Sequence, residues 1–174
     1  HLSIRRQRQM CIRDRAGVGC PGRPKSVAYD LAGRVSVAET WSADDVLRIG
    51  TPAAEPRLTD GFYREAGGAA EPFLWSKAEA EIAFSWDAVA PRVAILDAAP
   101  YLGVKNQSVE VLLNGTAVEH LVMNSLRQRY RIGLPAAAQK GGDNRLRFVF
   151  RAAASPTDAD PSSLDRRQLA AAFY

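Results

Sequence analysis

The stretch Ser108–Met123, SVEVLLNGTAVEHLVM, decides the fold class because it reads as a complete antiparallel hairpin. Its first half alternates, which places three aliphatic side chains on one face of a strand (Val109, Val111 and Leu113). Asn114-Gly115 follows directly, and a type I′ turn needs a positive φ at both central residues, which these two residue types tolerate best. Residues 116–123 then return as the partner strand.

The same two-residue period recurs on both sides of this hairpin. Apolar residues alternate with polar ones in Ala78–Trp86, Arg92–Leu96, Gln128–Leu134, Arg145–Arg151 and Arg167–Tyr174. A shorter strand-like run is Val46–Gly50, whereas Ser155–Leu164 reads as a polar loop. Some eight or nine short strands and no convincing helix predict an all-β protein. Because each strand has one polar face, an antiparallel two-sheet β-sandwich is favoured over a barrel.

The charge of the chain is concentrated at its start. The 174 residues carry a net charge of +4 with a pI near 9.3. Residues 1–15 hold five arginines and one aspartate, so the other 159 residues hold 18 basic and 18 acidic residues and are neutral. A neutral body argues against a nucleic-acid-binding domain.

Residues 1–15 show neither helical nor strand periodicity, and we interpret them as an artefactual or disordered basic tail. The string RQMCIRDR at 8–15 resembles translated sequencing-adaptor read-through at the end of an assembled gene fragment. Such a segment is excluded from reasoning about the fold. The alternative is a genuine basic arm, which has no aromatic neighbours for stacking on bases.

Residues 16–45 are interpreted as a lipoprotein-like tether. Ala16-Gly17-Val18-Gly19-Cys20 and the following Pro-Gly-rich run resemble the end of a bacterial lipoprotein signal, with Cys20 as the lipidated residue. The resemblance implies location in the bacterial cell envelope, with the membrane contacted only through a lipid anchor. The alternative is a linker cysteine without a role. Cys11 and Cys20 are the only cysteines, which excludes a disulfide framework in the body.

The body shows no recognisable catalytic set, so we expect residues 46–174 not to be an enzyme. His120 is the only histidine after His1, and no phosphate loop, nucleophile elbow or zinc set is present. A small hydrolase with unrecognised catalytic residues is a third hypothesis. We expect no cofactor. The acidic loop Asp158–Asp165 is the one candidate for a structural Ca²⁺, and a solvated loop is favoured there.

A shallow carbohydrate site is the candidate binding site. Aromatic rings stack on the apolar faces of sugars, while amide and charged groups bind hydroxyls. The alternative is that Trp75 and Phe62 cap the core. Asp165 and Arg167 are expected to form a structural ion pair before the last strand. The predicted ligand-binding residues are Trp75, Phe62, Tyr63, Tyr101 and Asn106.

The order of motifs over 50–174 resembles a known module. The motifs are Gly61-Phe62, Phe73–Ser76, Val109–Gly115, Gly142–Phe148 and Asp165–Leu169. They are similar to the galactose-binding-like jelly-roll module that precedes the catalytic domain of bacterial sulfatase-type hydrolases. The resemblance implies a non-catalytic accessory module, truncated at its C-terminal end, that positions a missing catalytic domain and contacts glycan. The alternative is a free-standing carbohydrate-binding module.

Overall fold

The computed structural model describes residues 46–65, 67 and 71–174. The basic tail at 1–15, the tether at 16–45 and Cys20 lie outside the described residues. One compact unit runs over Leu47–Tyr174. No helix in the described part of the chain is long and apolar enough to cross a membrane.

The unit is built from eight strands, named here in chain order. They are β1 (Leu58–Phe62), β2 (Leu74–Trp86), β3 (Arg92–Pro100), β4 (Ser108–Leu113), β5 (Thr116–Val122), β6 (Gln128–Leu134), β7 (Gly142–Phe150) and β8 (Ala171–Phe173). Two 3₁₀ turns lie at Glu55–Arg57 and Ala136–Ala138, and one short helix, α1, spans Pro156–Ala159.

The predicted hairpin is the centre of the topology. Asn114 has φ 53° and Gly115 has φ 85°, as a type I′ turn requires, and β4 pairs with β5. The other pairs nest around this hairpin: β3 pairs with β6, β2 with β7, and the first three residues of β2 with β8. Every one of these pairs is antiparallel. Antiparallel pairs nested around one hairpin give the unit Leu47–Tyr174 the winding of a jelly roll.

Strand β2 divides the sheet into two layers because it changes partner along its length. Leu74–Ser76 pair with β8, whereas Glu79–Trp86 pair with β7. One layer is therefore β1-β2-β7-β4-β5, and the other is the start of β2 followed by β8-β3-β6. Phe173 on β8 packs edge-on against Phe148 of β7, with ring centroids 5.2 Å apart. The two-sheet antiparallel sandwich is confirmed.

Alternation puts the core between the layers. The apolar positions predicted for β4, β6 and β7 are all buried (Val109, Val111, Leu113, Tyr130, Ile132, Leu134, Leu146, Phe148 and Phe150). Burial of a side chain of this size is worth roughly 1.5–3 kcal/mol before the entropy cost of ordering it. The periodicity therefore assigns the inward face of these strands correctly.

Two of the predicted local structures are wrong. Val46–Gly50 forms no strand, because Gly50 has φ 84° and the Thr51 hydroxyl donates to the Arg48 carbonyl 2.7 Å away, which closes a turn. The segment Ser155–Leu164 contains helix α1. It forms because Ser155 and Asp158 make a reciprocal capping box with each other's backbone N–H groups.

The last predicted strand, Arg167–Tyr174, is shorter than the pattern suggests. Only Ala171–Phe173 form β8. At the start of the predicted strand, Arg167 N donates to the Asp165 carboxylate and Gln168 N to the Tyr63 hydroxyl, while Leu169 makes only an isolated bridge with Ala154. A backbone group held by a side chain is not available to a neighbouring strand.

Candidate functional site

Four aromatic rings form a continuous cluster on the outer surface of the β2-β8-β3-β6 layer. We call this cluster the aromatic face, and its members are Phe73, Trp75, Tyr101 and Tyr174. Trp75 stands edge-on to Phe73 at 5.5 Å and to Tyr101 at 5.6 Å, and Phe73 lies 5.2 Å from Tyr174. All four residues are half-buried, so each ring keeps a solvent-accessible part.

Strand register explains why these residues meet. Leu74 and Ser76 point into the core, so Trp75 between them points outward. Trp75 pairs with Ala172 on β8, and Ala172 pairs in turn with Ala99 on β3. Ala172 is only 1% exposed. Small residues therefore form the floor between the rings, and the rings project above it.

Two glycines support the outer rings of the aromatic face. A Cβ placed on Gly103 would lie 2.4 Å from Cε1 of Tyr101, and one placed on Gly67 would lie 2.2 Å from Cζ of Phe73. Both distances are too short for real contacts, so each ring lies directly against a glycine backbone. Any larger residue at either position would displace a ring.

An arginine fixes one end of the aromatic face. The Arg127 guanidinium lies 3.7 Å from the centroid of the Tyr174 ring. It also donates to Asp97 at 2.7 and 2.9 Å and to Glu71 at 2.6 and 2.9 Å. These hydrogen bonds from Arg127 hold the pKa of the Asp97 carboxyl and that of the Glu71 carboxyl below their usual values. Both carboxylates are therefore negatively charged at neutral pH, and the positive charge of Arg127 balances one of the two negative charges.

Two of the predicted ligand-binding residues belong to the aromatic face. Trp75 and Tyr101 touch each other edge-on, and burial raises the pKa of the Tyr101 hydroxyl, with a further contribution from the charges of Asp165 and Asp158. Sequence reasoning missed Phe73 and Tyr174. The spacing of Phe73 and Trp75, two residues apart on a strand, is the signal that places Phe73 on the same face.

The other three predicted residues are not among the four rings, although the backbone of Tyr63 is next to that of Trp75, because Tyr63 N donates to the Trp75 carbonyl 2.9 Å away. Phe62 is 8% exposed and packs against Phe173 at 5.2 Å, so it belongs to the core. Tyr63 follows it, and its hydroxyl both accepts from Gln168 N and donates to Gln168 O. Asn106 is exposed in the loop after Tyr101, where its φ of 52° serves the turn.

Asp165 and Arg167 form a paired structure that extends beyond these two residues. Arg167 donates to both carboxylate oxygens of Asp165, with the shortest distance 2.7 Å, and also to Glu65 at 2.9 Å. The hydrogen bonds from Arg167 hold the pKa of Asp165 below its ordinary value. Through its bond to Glu65, Arg167 thus links the β7–β8 connection to the β1–β2 connection.

The carboxylates of the acidic loop accept hydrogen bonds from neighbouring groups of the protein. Asp158 accepts from Ser155 N, Asp160 accepts from the backbone and side chain of Ser162, and Asp165 binds Arg167. A Ca²⁺ site needs several oxygens free to converge on the ion. Across the described residues, no group of three or more His, Cys, Asp or Glu side chains is placed to hold a metal ion.

The opposite outer surface, on the β2-β7 side of the sandwich, has a different character. Glu79 pairs with Arg147 and Glu81 pairs with Arg145 across the two strands. Exposed ion pairs of this kind are typical of a solvated sheet face and add little stability. The two outer surfaces therefore differ in chemistry, one aromatic and one charged.

The chain matches no protein-family model and no curated protein. Its similarities are to solved structures. One is a family 35 carbohydrate-binding module from an environmental isolate, with 16% identity, 66% of this chain and 85% of that chain covered, and a TM-score of 0.42. Another is carbohydrate-binding module CBM36 in complex with calcium and xylotriose, with 13% identity, coverage of 69% and 90%, and a TM-score of 0.35.

Proposed function

We propose that this chain is a non-catalytic module that binds glycan through the aromatic face. The observation that carries the proposal is a cluster of four half-buried rings on an outer sheet surface. The fold does not need them there, since the core between the layers is filled by other residues. Apolar clusters left at a protein surface mark interaction sites.

The geometry of the cluster suits a sugar chain. Rings present apolar faces that pack on the C–H faces of pyranose rings, and the polar groups beside them bind hydroxyls. Trp75 supplies the largest ring, and Tyr101 and Tyr174 add hydroxyl groups at either side. Arg127, Asp97 and Glu71 form a rigid polar border, because each is held by the others. The site is therefore pre-organised, which reduces the entropy cost of binding.

The experiment compares two tryptophans of the same strand. Trp75 lies on the aromatic face, whereas Trp86 stacks with Phe84 at the other end of β2. A glycan array identifies a bound polysaccharide, and calorimetry then measures its Kd for wild type, Trp75→Ala and Trp86→Ala. Loss of a central tryptophan should cost about 2 kcal/mol, or roughly 30-fold in Kd.

Trp86→Ala should bind within about twofold of wild type, because Trp86 lies away from the aromatic face. Thermal melting of both variants separates loss of binding from loss of folding. Unchanged affinity in a folded Trp75→Ala variant would contradict the proposal.

The sequence resemblance supports a finer proposal. In it, the module accompanies a sulfatase-type hydrolase in the bacterial envelope, positions the catalytic domain, and is anchored through a lipid on Cys20. The free-standing module is the alternative. Sequencing the genomic locus separates the two. A Cys/Ser-x-Pro-x-Arg motif downstream supports the accessory role, and a stop codon after Tyr174 supports the free-standing one. Palmitate labelling of wild type and Cys20→Ser tests the anchor.

A further inference from the structure

Strand β6 carries outward-facing arginines in a row that starts near the Tyr174 end of the aromatic face. Tyr130 and Ile132 point into the core, so Arg129 and Arg131 point outward from the same layer that carries the rings. Arg129 pairs with Asp97 across the strands, and Asp97 is the residue whose carbonyl accepts from Tyr174 N. Strand β3 therefore lies between Arg129 on β6 and Tyr174 at the end of β8.

These two arginines differ from Arg127 in their partners. Arg127 makes four hydrogen bonds to Asp97 and Glu71, and its side chain is 33% exposed. Arg129 is 77% exposed and has one contact, at 3.5 Å, to an Asp97 carboxylate that Arg127 already occupies. Arg131 is exposed, and within the described residues no carboxylate lies within ion-pair distance of it. Arg129 thus keeps most of its hydrogen-bonding capacity near the Tyr174 end of the aromatic face, and Arg131, which pairs with Ile95, continues the row along β6.

We infer that the ligand is an anionic glycan, whose sugar rings pack on the aromatic face while its carboxylate or sulfate groups pair with Arg129 and Arg131. This inference rests on the proposed glycan-binding function. The planar guanidinium fork matches the two oxygens of a carboxylate or sulfate. Residues two apart on a strand are separated by roughly 6.5 Å, so a chain with repeated negative groups engages both arginines.

The charge of the whole unit favours a glycan over a nucleic acid. Leu47–Tyr174 hold 15 Lys or Arg residues and 14 Asp or Glu residues, a net charge of +1. Single-stranded nucleic acid carries a phosphate at every nucleotide and is bound by grooves with a continuous basic lining. Arg129, with one long contact to Asp97, and Arg131, with no carboxylate partner among the described residues, lie on a surface that also holds two ionised carboxylates, which fits a more sparsely charged chain.

The test uses pairs of polysaccharides that differ only in charge. Affinity electrophoresis compares dextran with dextran sulfate, and methyl-esterified polygalacturonate with the free acid, at 50 and 200 mM salt. The anionic member of at least one pair should bind about tenfold more tightly than its neutral partner, with the preference falling as salt rises. The pair that shows the preference tells sulfate from carboxylate.

Variants locate the source of the preference. Arg129→Gln/Arg131→Gln should lose the preference for the charged polymer and keep the affinity for the neutral one. Arg145→Gln/Arg147→Gln, on the opposite surface, is the matched control and should behave as wild type. Trp75→Ala should weaken binding of both polymers.

The remaining outcomes show whether the inference alone fails or the proposed function fails with it. Equal affinity for charged and neutral polymers, with Trp75 still required, overturns the inference and leaves the proposed function standing. Absence of binding to every glycan overturns both. An equal loss in the opposite-surface double variant, or tighter binding of a single-stranded oligonucleotide than of either anionic polymer, also overturns the inference.

Discussion

Replacing Phe173 by alanine removes the ring through which β8 contacts the other layer of the sandwich. Phe173 is 1% exposed, and its ring lies 5.2 Å from Phe62, 5.2 Å from Phe148 and 6.1 Å from Phe150. Truncation of a fully buried phenylalanine costs about 3–5 kcal/mol, and its three edge-on ring contacts favour the upper half of that range. We therefore expect the free energy of unfolding to fall by about 4 kcal/mol.

Urea unfolding followed by circular dichroism measures this change. The matched control is Phe73→Ala, because Phe73 is a half-buried ring on the outer surface of the same layer. It should cost roughly 1–2 kcal/mol, since only part of its surface is removed from water. The dependence on urea should keep its slope in both variants. A loss below about 2 kcal/mol in Phe173→Ala, or equal losses in the two variants, would refute the packing of β8 over β7.

Three further predictions concern the site and the turns. Gly103→Ala should weaken glycan binding several-fold, because the new Cβ would lie 2.4 Å from the Tyr101 ring; calorimetry tests it against Gly141→Ala, whose Cβ meets nothing within 4 Å. Gly115→Ala should lower the free energy of unfolding by about 1 kcal/mol, because alanine is strained at a φ of 85° although its Cβ meets no other atom. Gly133→Ala is the control and should leave the free energy of unfolding unchanged, because Gly133 also faces open space but has no positive φ. Arg127 depresses the pKa of Asp97 in the folded chain from 3.8, so the stabilisation is present above that pH and is lost as pH falls through the lower folded pKa. Unfolding free energy should therefore drop on acidification below about pH 4, and should drop less in Asp97→Asn; an identical acid profile in the two proteins counts against the Arg127 contact.

The local sequence pattern is sufficient to predict the hairpin and the side chains that face inward from the strands. Asn114-Gly115 specifies its turn through backbone conformation, and alternation specifies which side chains of β7 are buried. Neither depends on distant parts of the chain. For the same reason, neither reveals that β2 pairs with two different strands along its length, which depends on the positions of β7 and β8.

The candidate site was predicted only in part because contacts distant in sequence assemble it. Tyr174 reaches Phe73 through the pairing of β8 with β2, and Arg127 reaches Glu71 across 56 residues. Phe62 and Tyr63 are neighbours with opposite orientations, so an aromatic pair in the sequence separates into one core ring and one ring outside the core. An aromatic residue beside a loop can be assigned to the surface or to the core only when the register of its strand is known.

The most direct test of the aromatic face follows the indole N–H signals of the protein by NMR as glycan is added. The chain has three tryptophans, Trp41, Trp75 and Trp86, and single Trp→Phe variants assign their signals. The glycan-binding account predicts that the Trp75 signal shifts and saturates with the measured Kd while the Trp86 signal stays in place. A saturating shift at Trp86 with none at Trp75 would contradict it.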